Sequence, residues 1–246
     1  MKTFKLCKSL FFIFILISVF TSCFNNGDNS DNPYAYYSGP VLVTNHNGMT
    51  MLKDPANNLF YSTQLETADP PLPQGTPATV VLSFYHNQQV SSDYLVGVIN
   101  YWNTHPLRYP VKKDDIDDDF NEPIGFKSDI QTDSDFMKID DIWFIYFYAN
   151  YRNDQVMDFE LIYLPESDNE NKFTFYFKTK IETEGSGALR TEQTGVSIDL
   201  TNFIMTEGIG KGREELRYDF KYAYDVGSNG NLIYRTLLTD KILWKK

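Results

Sequence analysis

Three histidines, His46, His86 and His105, are the residues of this chain most suited to metal or proton chemistry. Each falls in a separate predicted loop or strand end. A zinc site needs three or four convergent ligands, usually with a short spacing such as His-x-x-x-His, and no such spacing occurs, so a surface or hairpin-end position is expected for all three. Ser186 lies in Glu184-Gly185-Ser186-Gly187, without the glycine two positions to either side that a nucleophile elbow requires; a hairpin tip is expected. In the acidic run 114–122, Asp115, Asp117, Asp119 and Asn121 alternate as calcium ligands would. The sixth position of such a loop would be Phe120 and the twelfth Phe126, where a glycine and a bidentate acid are needed, so the run reads as a linker extended by self-repulsion. Sugars stack on exposed aromatic rings, and Tyr101, Trp102 and Tyr109, with Tyr34, Tyr36 and Tyr37, are the aromatics not claimed by an obvious strand face. The first three are the candidate ligand-binding residues. No catalytic residues, metal site or cofactor is assigned.

The strongest chemical signal is an address. Lys2, Lys5 and Lys8 precede an apolar run from Leu10 to Phe20, and Thr21-Ser22 lead into Cys23. The run is about half the roughly 20 residues of a spanning helix, and the pattern is that of a secretory leader over residues 1–22. It resembles a bacterial lipoprotein signal, in which Cys23 takes a diacylglycerol and becomes the first residue of the mature chain. Phe20 stands where a smaller aliphatic residue is usual. Residues 23–39, rich in Asn, Asp, Gly and Ser, read as a flexible tether of roughly 20 Å span.

Composition narrows the rest. The formal charge of −11 and the lack of any Lys/Arg cluster exclude a nucleic-acid partner and argue against adsorption to an anionic lipid surface, leaving the acyl anchor as the membrane contact. Cys7 lies in the leader, so the mature chain has one cysteine and no internal disulfide. A chain that is 42% hydrophobic and 16% aromatic must hold itself together by packing.

The elements are all strands. Apolar runs flank Asn45-His46-Asn47-Gly48, a hairpin signal; runs at 59–62, 79–85 and 94–102 follow, and five short strands suggest a small barrel over 40–115. The proline-punctuated, acidic stretch that follows places a domain boundary near residue 115. In the second half, 116–246, Ile142-Trp143-Phe144-Ile145-Tyr146-Phe147-Tyr148 is apolar without interruption, the mark of a strand covered on both faces. Later strands alternate, as in Tyr218, Phe220, Tyr222 and Tyr224, and no window after the leader has helical periodicity. The class is all-β.

Several short motifs carry a family resemblance: Thr21-Ser22-Cys23, the strand leading to Asn47-Gly48, the run from Gly75 to Tyr85, Glu122-Pro123-Ile124, Phe136-Met137-Lys138-Ile139 and Val196-Ser197-Ile198-Asp199-Leu200. On these the chain resembles the NigD-like lipoproteins of Bacteroides and relatives. The resemblance implies an OB-like barrel for the first half and an antiparallel β-sandwich for the second, with no catalytic residues to carry over and a link to bacteriocin production or immunity. The expected function is an outer-membrane lipoprotein that binds a protein or glycan partner without catalysis. The alternatives are a hydrolase using two carboxylates, and a surface-appendage subunit exchanging a β-strand at an open edge.

Overall fold

The computed structural model of the protein describes residues 34–85, 93–114, 116, 122–125, 136–166, 169–229 and 231–243. Cys23 and the leader, His86, most of the acidic run and Trp244 lie outside the described residues. The described chain is all-β, in three sheets.

The first sheet holds β1 (Tyr34–His46), β2 (Met49–Lys53), β3 (Leu59–Tyr61), β4 (Pro77–Tyr85), β5 (Leu95–Val96) and β6 (Val98–Thr104) in the order β5-β3-β2-β1-β4-β6. The hairpin read from Asn47-Gly48 is present: His46 pairs with Met49, and both turn residues have positive φ. Two expectations need correction. Tyr34–Gly39, assigned to the tether, form the first half of β1, paired with β4 from Ser38↔Val81 to Tyr36↔Ser83. The ladders also leave this sheet open, so it is not a closed OB-like barrel; its edges are β5 and β6, separated only by Gly97. The inward face packs Val41, Val43, Leu52, Phe60, Val80, Leu82 and Phe84 around Leu65, which comes from the one-turn helix α1 (Thr63–Glu66).

The second half forms two sheets face to face. The middle sheet has the order β7-β13-β10-β9, from β7 (Leu107–Arg108), β9 (Phe136–Ile139), β10 (Ile142–Asn153) and β13 (Ser186–Asp199). The third has the order β15-β14-β12-β11-β8, from β8 (Pro110–Lys112), β11 (Val156–Glu166), β12 (Asn169–Thr183), β14 (Glu215–Val226) and β15 (Leu232–Leu243). Between them lies the largest core. Alternate residues of β10, β12 and β14 meet there, with Trp143 packed edge-on or tilted against Phe175, Tyr218 and Phe220 at centroid distances of 5.3, 4.9 and 6.2 Å.

Strand β10 is covered on both faces, as its unbroken apolar run requires. Trp143, Ile145 and Phe147 enter the large core, while Ile142 and Phe144 pack with Leu42 of β1 and with Met137 and Ile139 of β9. The outward face of the first sheet thus rests on the back of the middle sheet. Two connections close the sandwich sides. Residues 107–112, placed by the sequence reading ahead of a boundary near 115, give one short parallel strand to each sheet: β7 to β13, then β8 to β11. On the other side the backbone of residues 122–125 runs from Thr179 of β12 to Tyr148 of β10, with Ile124 buried in the core. The Glu122-Pro123-Ile124 motif is therefore a strap. Further helical structure, which no helical periodicity in the sequence announces, occurs at α2 (Thr201–Phe203), continued by a π-helical turn (Ile204–Gly208) and a 3-10 turn (Ile209–Lys211). No helix among the described residues is long and apolar enough to cross a membrane.

Candidate binding cleft

Of the ligand-binding candidates, Tyr101 and Tyr109 are exposed, at 46% and 51%, whereas Trp102 turns inward against the core of the first sheet. Tyr101 and Trp102 are strand neighbours on opposite faces, so the three rings do not form one surface. His46 ends β1 half-buried, and Ser186 opens β13 exposed, opposite Asn153. Among the described residues no group of three or more His, Cys, Asp or Glu side chains converges as metal ligands.

His105 corrects a third expectation. Far from being a surface residue, it is only 7% exposed, wedged between the first and middle sheets. Its Nε2 lies 2.7 Å from Thr79 Oγ1, which is itself 2.7 Å from the Tyr146 hydroxyl, and its Nδ1 lies 3.4 Å from Ser197 Oγ. The ring also packs edge-on against Phe144 and Tyr146. Gly195 makes the space: a Cβ there would stand 2.8 Å from His105 Cε1 and 3.1 Å from Tyr146 Cε1. Burial lowers the imidazole pKa to about 4, so the ring is neutral at physiological pH, and the same burial pushes the Tyr146 phenol up. Ser197 is fully buried, so this serine-histidine contact joins two sheets and faces no substrate.

Among the described residues an open concavity lies at the β11–β12 turn of the third sheet. It encloses about 380 Å³, within the range of small-ligand sites. One wall is the β11–β12 hairpin, with Pro165, Glu166 and Glu170; the other carries Lys112 from the end of β8, Lys211 from the 3-10 turn and Arg213 just beyond it. At its base the Glu207 side chain, 7% exposed, sits in the π-helical turn, a distortion that recurs at functional sites. Lys211 Nζ lies 2.5 Å from Glu207, Lys112 Nζ 3.6 Å and Arg213 3.9 Å, while Tyr163 donates to it at 3.4 Å. Arg213 also donates to the Glu207 carbonyl at 2.9 Å and lies over the Phe173 ring. Burial alone would raise the Glu207 pKa, but the Lys211 hydrogen bond and the charges of Lys211, Lys112 and Arg213 hold it below the usual glutamate range. Burial and the ionised Glu207 push the Tyr163 phenol up to about 12.

The cleft therefore presents fixed charges, with three cations on one wall and Glu166 and Glu170 on the other. Glu166 is oriented by a 2.6 Å hydrogen bond from Thr174. Because Glu207 organises the basic wall, Glu207→Gln is expected to destabilise the fold by about 1–3 kcal/mol, read as a lower urea midpoint at pH 7. An unchanged midpoint would mean that the cations are held by other partners. The local sequence signal for this site is the Glu207–Lys211 spacing, which places the two side chains on one helical face.

No protein-family model and no curated protein matches the sequence. Solved structures do. An uncharacterised protein from Parabacteroides merdae superposes with a TM-score of 0.59 at 12% identity, over 85% of this chain and 100% of its own. A candidate lipoprotein from Bacteroides fragilis gives 0.59 at 11% identity, over 86% and 99%. A NigD-like immunity protein from Bacteroides caccae gives 0.52 at 12% identity, over 82% and 91%. In fold, the chain is similar to a NigD-like protein. The family resemblance carried by the short sequence motifs is thus met by a shared three-dimensional arrangement, extending over nearly the whole NigD-like chain.

Proposed function

We propose that this protein is a lipid-anchored component of the cell envelope, held at the outer membrane through Cys23, that binds a protein or glycan partner and performs no chemistry on it. The observation that carries the reading is the charged cleft. Its central acid, Glu207, is held ionised by three cations, an arrangement that presents charge rather than moving protons. A hydrolase with two carboxylates would instead need one carboxyl of raised pKa in the cleft. Asp141 is raised, by burial and by neighbouring Asp140 and Asp199, but does not line it.

The leader and Cys23 supply the anchor, and the candidate lipoprotein and immunity protein of the same fold favour an envelope role of this kind. The OB-like reading of the first half belongs to the same proposal. It is supported by the parallel pairing of β3 with β5 and by residues 95–104 carrying both edges of the sheet with one break at Gly97.

The test labels cells expressing the full chain with palmitate, then cross-links and recovers it from solubilised envelopes. Label is expected in the native chain and absent in Cys23→Ala. A partner is expected with the native cleft and is diminished by Lys112→Ala/Lys211→Ala. Label that persists in Cys23→Ala removes the anchor, and a partner recovered equally with both chains removes the cleft.

A further inference from the structure

The outward face of the first sheet is covered along only part of its length. On β1, alternate residues Leu42 and Pro40 are buried toward the middle sheet, and Thr79 of β4 is bound there by Tyr146 and His105. Beyond this point the same face emerges into solvent.

The ladder registers fix what is displayed. Ser83 of β4 pairs with Tyr36 on one side and Val98 on the other, and Val81 pairs with Ser38 and Tyr101. Directly paired residues share a face. An irregularity between Val81 and Leu82 keeps Tyr101 on the outward side while Trp102, opposite the buried Val80, points inward. Two rows of three result, Tyr36–Ser83–Val98 and Ser38–Val81–Tyr101, with a tyrosine at each of two opposite corners. Tyr36 is 62% exposed, Val98 49% and Tyr101 46%. Two strand spacings across and two residues along put the tyrosine Cα atoms roughly 12 Å apart.

From this juxtaposition we infer that the exposed rows on β1, β4 and β6 form a stacking platform for a neutral glycan, independent of the charged cleft. Size and charge select the occupant. Six residues on three strands cover on the order of 200 Å², against about 800 Å² per partner in a stable protein interface. None of the six is charged, in a chain of net charge −11 that disfavours polyanions. Two separated aromatic faces with serine hydroxyls between them suit sugar rings, which offer an apolar face for stacking and hydroxyls for hydrogen bonding.

Affinity electrophoresis of the detergent-solubilised full chain through gels containing neutral polysaccharides (glucans, mannan, xylan) tests this, with a carboxylated polysaccharide alongside. At least one neutral polysaccharide is expected to retard the native protein. Tyr36→Ala and Tyr101→Ala should each weaken retardation by about two- to tenfold, and the double variant should abolish it without shifting the unfolding midpoint. Lys112→Ala/Lys211→Ala should bind as the native chain does. Retardation by the carboxylated polysaccharide alone, no retardation at all, binding undiminished in the double tyrosine variant, or binding lost in the lysine variant would each overturn the platform. Partner capture from envelopes through the cleft would stand in every case, since it is read with the lysine pair.

Discussion

Trp143→Ala is expected to lower the free energy of unfolding by about 3–5 kcal/mol, a large part of what a domain of this size has in reserve. Trp143 is 2% exposed at the centre of the aromatic core, touching β12 through Phe175, β14 through Tyr218 and Phe220, and β9 through Phe136 at 4.8 Å. The ammonium of Lys138 lies 5.8 Å from its ring. These neighbours are themselves large rings locked by further rings, so they cannot collapse into the space an indole vacates, and both transfer and cavity costs apply in full. Equilibrium denaturation in urea measures the loss. A cost under about 1 kcal/mol would mean that the two sheets close over the gap, contrary to the packing described here.

Acid is expected to destabilise the protein well before its carboxylates titrate. The His105 imidazole has a pKa of about 4 when buried, against the ordinary 6.5 of a solvated imidazole in the unfolded chain. Between those values the unfolded chain binds a proton that the folded chain refuses, so stability is full above pH 6.5 and falls as pH drops toward 4, by on the order of 3 kcal/mol in all. The side chains around the ring, Thr79, Tyr146, Ser197 and Phe144, carry no charge in that interval, so no neighbour compensates the imidazolium. Asp158, Glu207, Asp219 and Asp240, all with lowered pKa values, add their own loss at lower pH, as it falls through the ordinary carboxylate range. Urea midpoints at pH 7, 6 and 5 isolate the histidine. His105→Gln, which still hydrogen-bonds but does not titrate, should flatten the curve over that interval. An unaltered slope would assign the acid sensitivity to another group.

The main strands of the second half were legible because their signals are local, whereas their order in the two sheets was not. The seven-residue run from Ile142 reads as buried on both faces and is so, and the alternation at Tyr218, Phe220 and Tyr222 puts all three in the core. The Asn47-Gly48 turn is equally local. What escaped depends on partners far along the chain. Tyr34–Gly39 looks like the end of a polar tether until β4, more than forty residues on, offers it a ladder. Two- and three-residue strands at β7 and β8 have no periodicity to detect, so prolines and charges there suggested a boundary instead. The burial of His105 follows from the space at Gly195, ninety residues away, which only packing reveals. The cleft is harder still, since Lys112, Glu166, Glu170, Glu207 and Arg213 meet only after three separate stretches of chain are brought together.

Strand β10 serves as a party wall. Ile142 and Phe144 belong to the interior shared with the first sheet, while Trp143 and Ile145 belong to the interior shared with the third. Each half also has an interior of its own, yet cutting the chain between them would bare Leu42 on one piece and Ile142 and Phe144 on the other, and a substitution that tilts this one strand would be felt on both of its faces at once.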